Sequence, residues 1–269
     1  MTYIAPQIFR QWTPILINNK VDKLKPISLN IGSLPLLLWF INTNPNIMIN
    51  SCKHLGNSLT TAKIKNNCLI CPFHNNSYNQ TDNFGSTIIQ NGIVWWSYKS
   101  YNKEPFFKSN KSSYQLELDI NIDLITYILN ILAENQKTST HIWNNKKKQL
   151  LLKSNEKRII FKYPYQLIIT DKKLKLTEEI AILPLTPTKI KLFINIYNPL
   201  LVPYVYLNYL KLKNKFEKDI TISNLYIKNF FIFKNGYNDY LEKVYKSYAD
   251  FSYLTDYTVN QFMINRNFY

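Results

Sequence analysis

Cysteine is scarce in this chain of 269 residues: Cys52, Cys68 and Cys71 are the only three, all within one stretch of twenty residues. So few and so close together, they exclude a disulfide framework. Thiols clustered locally in a reducing compartment are more often metal ligands than staples. Long apolar runs are also missing. The longest purely apolar stretch of the first hundred residues, LPLLLWFI from Leu34 to Ile41, falls far short of the roughly 20 residues that a bilayer-spanning helix needs. The N-terminus, MTYIAPQIFRQWTPILINN, lacks the charged start, apolar core and small-residue cleavage site of a secretory signal. These absences predict a soluble intracellular protein, in the cytoplasm or an organelle lumen, without a membrane span. Acidic residues are outnumbered, 17 against 33 Lys and Arg, for a formal charge of +16. Such a balance invites a nucleic-acid reading, because neutralised phosphates dominate that affinity. Here, however, lysines are spread along the chain among many Asn, Ile and Tyr, as AT-biased coding produces, and are not gathered into one face. No nucleic-acid partner is expected, while a docking surface for an acidic redox partner is compatible with the charge.

What is present is enough apolar residue for a proper core, at 46%, in a chain of one large or two ordinary domains. From Trp12 to Lys99, short apolar runs alternate with Asn, Gly, Pro and Ser: PISLNI, a turn at Gly32-Ser33, LPLLLWFI, a turn at NTNPN, IMINS, then CLICP, STIIQ and GIVWWSYK. This half reads as an all-β meander. Near Asp119 the period changes. Ile122, Leu124, Ile125, Ile128, Leu129, Ile131 and Leu132 recur at three-and-four spacing and predict a helix from about Ile122 to Gln136. NNKKK, Asn144 to Lys148, reads as a loop. RIIFKYPYQLIIT, KLKLT, IAILPL and TKIKLFINIY then read as strands, the last with Ile190, Leu192, Ile194 and Ile196 on one face. Segments beyond Leu200, among them NDYLEKVYKSYADFSYL, suggest helices.

The chemistry is concentrated in two short stretches, Cys52-Lys53-His54-Leu55-Gly56 and, after sixteen residues between His54 and Cys71, Cys71-Pro72-Phe73-His74. Two Cys-plus-His pairs on two loops suit a two-iron centre in which thiolates hold one iron and imidazoles the other. Two readings compete. A zinc knuckle would use Cys68-Leu69-Ile70-Cys71 with Cys52, His54 or His74, although zinc pairs usually leave two to four residues between ligands, and Cys52 and His54 leave one. Alternatively, these are ordinary buried side chains without metal. With the two-iron centre, Cys68 becomes a strand residue packed under the second loop.

The first loop resembles the CxHLG signature, and CPFH the CPxH signature, of the Rieske family. Tyr78 stands where that family carries an aromatic residue whose hydroxyl donates toward the cluster. The family usually has Gly after the second His; here it is Asn75, which tolerates left-handed backbone better than most residues. Electron-chain Rieske proteins carry one more Cys in each loop, joined in a disulfide, where this chain has Asn57 and Phe73. The loops therefore resemble those of Rieske oxygenases and their ferredoxins. Trp12-Thr13-Pro14-Ile15 and GIVWWSYK also look like the opening and closing segments of the oxygenase Rieske domain.

The resemblance implies an α+β chain: an N-terminal all-β Rieske domain over 10–102, then a helix-grip, oxygenase catalytic-like α+β domain over 103–269. It implies a 2Fe-2S cluster on Cys52, His54, Cys71 and His74. It further implies an electron-donating reductase or ferredoxin, a small apolar substrate if the chain is an oxygenase, and a homo-oligomer. Oxygenases also hold a mononuclear Fe(II) by two His and a carboxylate, with the pattern Asp, two residues, His, four residues, His near a helix end. Laid on His141, it puts Gln136 at the first His and Ala133 at the bridging Asp. One position of three matches, so the resemblance implies a degenerate iron site around His141, with Glu217 or Asp219 as its candidate carboxylate. An electron carrier whose second domain has lost its iron follows, with an oxygenase of atypical iron site as the alternative.

Overall fold

Runs of β-branched and aromatic residues punctuated by Asn, Gly and Pro become antiparallel strands in both halves of the chain. The computed structural model describes residues 11–31, 34–98, 105, 113–122, 124, 127–128, 130–131, 140–144, 149–162, 166–186 and 189–218. Two compact units divide them, with the break after Pro105.

The first unit contains β1 (Thr13–Ile17), β2 (Ile27–Ile31), β3 (Leu34–Ile41), β4 (Asn44–Ile49), β5 (Lys63–Lys65), β6 (Cys68–Ile70), β7 (Ser77–Tyr78), β8 (Ser86–Gln90) and β9 (Ile93–Ser97). They form three antiparallel sheets of three strands, ordered β1-β9-β8, β2-β3-β4 and β5-β6-β7. Every residue of β9 is buried, and Trp95 and Trp96 are fully enclosed. The turn expected over NTNPN is tighter than that: Asn42 takes a left-handed φ of 56° and β4 already begins at Asn44. Leu37, Trp39, Met48, Leu59, Leu69 and Tyr78 pack around Cys52 and Cys71. One cysteine loop follows β4 and the other joins β6 to β7, so both rest on this core through their thiols.

The second unit contains β10 (Tyr114–Ile120), β11 (Thr140–Asn144), β12 (Gln149–Lys153), β13 (Lys157–Lys162), β14 (Gln166–Asp171), β15 (Leu176–Thr186), β16 (Lys189–Ile196) and the helix α1 (Val202–Lys218). Its strands make one seven-stranded antiparallel sheet in the order β10-β16-β15-β14-β13-β12-β11. Asn198 opens the turn into α1 by accepting from Leu200 N at 3.3 Å, with Pro199 just inside. Val205, Tyr209 and Phe216 form the buried stripe of α1. Leu124, Tyr127, Ile128, Asn130 and Ile131 are helical and buried, Asn130 being the polar side chain among them; 123, 125, 126, 129 and 132–136 lie outside the described residues.

Several expectations are corrected. β10 is a strand that the sequence reading leaves out: YQLELDI alternates Gln115, Glu117 and Asp119 with Leu116, Leu118 and Ile120 and pairs with β16 over its whole length. KLKLT is mostly a turn, with Lys175 at a left-handed φ of 50°, and β15 starts only at Leu176. His141, expected beside a helix end, lies in the edge strand β11 opposite Leu152. The cross-strand ladder with β12 outweighs any helical continuation there. The loop expected over 144–148 lies outside the described residues save Asn144, as does the expected helical segment around 238–254.

Candidate metal centre

Each cysteine loop is closed by the same two backbone hydrogen bonds. In the first, Cys52 N donates to Asn57 O (2.7 Å) and Gly56 N to Cys52 O (2.8 Å). In the second, Cys71 N donates to Asn76 O (2.9 Å) and Asn75 N to Cys71 O (3.1 Å). The fourth residue after each cysteine is left-handed, Gly56 at φ 71° and Asn75 at φ 58°. Asn thus occupies the conformation for which the Rieske family usually supplies Gly.

The two turns bring like side chains together. Cys52 and Cys71 are both buried in one apolar cluster. His54 and His74 are exposed at the loop tips, their Nδ1 atoms 3.1 Å apart and their rings edge to face. Two nitrogens bound to one tetrahedral metal ion at about 2.0–2.1 Å would lie roughly 3.3 Å apart, so this pair already has the spacing of co-ligands. Among the described residues no three of His, Cys, Asp and Glu converge on one point. The zinc knuckle needs such convergence; two ions, one per pair, do not. Cys68, partly buried in β6 opposite Lys65, stands apart as a strand residue. All three thiols are free of disulfides.

Burial opposes ionisation of Cys52, but the Tyr78 hydroxyl, the His54 and Leu55 amides and Cys71 outweigh it and hold the thiol below its ordinary pKa. The thiolate is the ligand form. Tyr78 donates to Cys52 Sγ at 3.0 Å while accepting from Lys53 N at 2.9 Å. Burial and the neighbouring Cys52 push the Tyr78 phenol well above its ordinary value, so it stays a donor. A buried pair of thiolates on one side and an exposed pair of imidazoles on the other is the donor set of a Rieske centre.

Sequence reading did not single out Asp82, which ion-pairs with Lys53 beside this site. Its local signal is the Asn79-x-x-Asp82 capping box; its partner lies 29 residues away and leaves no local trace. In the second unit, Tyr209 of α1 donates to Glu178 of β15 at 2.9 Å. Burial raises the Glu178 pKa, Tyr209 and Lys157 oppose it, and Asp171 adds to it. His141 lies on β11 beside exposed Ile142; Ala133, Gln136 and Asp219 lie outside the described residues, and Glu217 lies in the last turn of α1.

The Rieske [2Fe-2S] domain family matches residues 11–90. No curated protein matches the sequence. Among solved structures, dicamba monooxygenase is similar over 93% of this chain and 99% of its own, at 11% identity and a TM-score of 0.65. NdmA of Pseudomonas putida CBB5 is similar over 80% of this chain and 81% of its own, at 12% identity and a TM-score of 0.62. A further structure of dicamba monooxygenase holds non-haem iron and dicamba. Residues 11–90 are therefore a Rieske [2Fe-2S] domain, which implies a 2Fe-2S cluster, and the chain has the fold of the Rieske non-haem iron oxygenases.

Proposed function

We propose that Cys52 and Cys71 hold one iron of the cluster and His54 and His74 the other, and that the chain passes single electrons through this centre. The carrying observation is the matched pair of loops, which set two buried thiols and two exposed imidazoles as separate pairs. When bound, a Rieske cluster supplies one-electron redox chemistry at a potential raised by neutral imidazole ligands. The residues around it suit that role. Tyr78 donates to Cys52 Sγ and so favours the more negative, reduced state. His54 and His74, flanked by exposed Leu55 and Phe73, present the edge at which a reductase or ferredoxin would deliver the electron. Among the described residues no helix is long and apolar enough to cross a membrane.

A second reading, a Rieske oxygenase acting on a small apolar molecule, is favoured by one observation: the likeness to dicamba monooxygenase spans both units and not the Rieske domain alone. Metal and sulfide analysis separates the two. On protein purified without oxygen, two irons and two acid-labile sulfides per chain, with a Rieske-type EPR spectrum after dithionite reduction, are expected of the carrier. A third iron supports the oxygenase. Zinc in their place, with reconstitution by iron and sulfide failing, overturns the cluster assignment.

A further inference from the structure

Loop-borne ligands need external anchors, because a short turn closed by two backbone hydrogen bonds can still tilt as a body. Besides its contacts with the Tyr78 hydroxyl, the first loop is tied to a residue outside it by an ion pair. Lys53 lies between Cys52 and His54, and its Nζ pairs with Asp82 Oδ1. The other oxygen, Asp82 Oδ2, accepts from Asn79 N at 2.9 Å, while Asn79 Oδ1 accepts from Thr81 N at 2.8 Å. Asp82 thereby closes the capping box of the turn that directly follows Tyr78. One carboxylate thus grips both the loop carrying Cys52 and the segment carrying Tyr78. Between them run the two contacts of the Tyr78 hydroxyl, from Lys53 N and to Cys52 Sγ. The Asp82 side chain is 15% exposed and that of Lys53 52% exposed, so the pair is shielded on the acid's side.

We infer that Asp82 is a positioning residue that, through its ion pair with Lys53, holds the Tyr78 hydroxyl on Cys52 Sγ and thereby raises the reduction potential of the cluster. This rests on the ligand assignment proposed above. The clamp works on geometry and differs in sign from a plain charge effect. As an isolated charge, Asp82 destabilises a more negative reduced cluster, so neutralising it would raise the potential. As a clamp, neutralising it loosens the hydrogen bond to sulfur and lowers the potential.

The test is a midpoint-potential cycle on the cluster-loaded full chain, combining Asp82→Asn with Tyr78→Phe. Hydrogen bonds to charged groups are each worth roughly a factor of ten. Asp82→Asn is therefore expected to lower the reduced-to-oxidised ratio at fixed ambient potential about ten-fold, equivalent to about 59 mV for one electron. In the Tyr78→Phe background, where there is no hydroxyl left to position, Asp82→Asn should no longer lower it. Lys53→Met should lower the potential more in the wild-type than in the Tyr78→Phe background, because the bare loss of a positive charge acts alike in both, which keeps the test intact if Asp82→Asn folds poorly. A potential that rises, or that changes equally in both backgrounds, overturns the clamp while leaving the cluster assignment standing. A wild-type protein without a Rieske EPR signal overturns the assignment itself, and the clamp with it.

Discussion

Replacing Gly56 with alanine isolates the backbone strain on which the first ligand loop depends. Gly56 sits at φ 71° and donates to Cys52 O at 2.8 Å, so its left-handed conformation is what lets the loop turn back on its own cysteine. An added Cβ would meet nothing closer than Ser51 Oγ at 3.8 Å, an ordinary contact. The cost is therefore conformational, about 1–2 kcal/mol for an L-residue in that region. Restricting the unfolded chain returns about 0.4–1 kcal/mol, leaving a net loss of about 1 kcal/mol. If the first unit melts by itself, that is a fall of about 4–8 °C, as for a domain of roughly 60–100 residues. Asn75→Ala in the matching loop should cost less, because the starting residue already carries a Cβ at φ 58°. Gly85→Ala should cost far more, since its Cβ would lie 2.2 Å from Ser97 O and 2.9 Å from Trp96 Nε1. Calorimetric melting of the three variants, with iron content measured on the same samples, gives the ranking. Gly56→Ala as damaging as Gly85→Ala, or Asn75→Ala the worst of the three, would refute the reasoning from backbone conformation.

Cys52→Ser and Cys71→Ser are each expected to abolish acid-labile sulfide and the reduced EPR signal, whereas Cys68→Ser keeps both; loss with Cys68→Ser would return the thiol to the ligand set. In the second unit, burial raises the folded-state pKa of Glu178, so the native protein holds a proton that the unfolded chain has released. Stability from this group is full below the ordinary carboxylate pKa and is lost as pH rises through the raised folded value. Glu178→Gln, which can still accept from Tyr209, should therefore flatten the decline in urea midpoint as pH rises above the ordinary carboxylate range; an unchanged slope would count against a raised Glu178. Removing the cluster with a chelator under reducing conditions should destabilise the first unit, since binding to the native state alone adds stability by mass action, and a melting temperature that does not move would argue against a preformed site.

In the first unit β2, β3, β4, β6, β8 and β9 are legible because their apolar runs are bounded by residues with strong turn preferences, Asn42, Gly56, Asn75 and Gly92 all taking positive φ, whereas β1 and the short β5 and β7 are not. The two Cys-plus-His loops are legible as turns for a related reason: a Cys-x-His and a Cys-x-x-His segment are local, so spacing alone limits where the side chains can go. β10 is absent from the sequence reading although YQLELDI alternates polar Gln115, Glu117 and Asp119 with apolar Leu116, Leu118 and Ile120; what fixes it is pairing with β16, some seventy to eighty residues on. His141 was read from a motif spacing that presumes a helix, and its partner Leu152 in β12 decided otherwise.

By itself, then, the sequence determined the local matters: which residues turn, which alternate, and which two Cys-plus-His pairs sit on short loops. Tertiary structure alone decided the long-range ones. It set His54 Nδ1 3.1 Å from His74 Nδ1, placed Tyr78 on Cys52, joined Lys53 to Asp82 and brought the Tyr209 hydroxyl to Glu178. The physical reason is that these contacts join residues 20 to 31 positions apart. Periodicity and spacing act over a few residues, whereas such contacts exist only after the sheets have paired and the loops between them have closed.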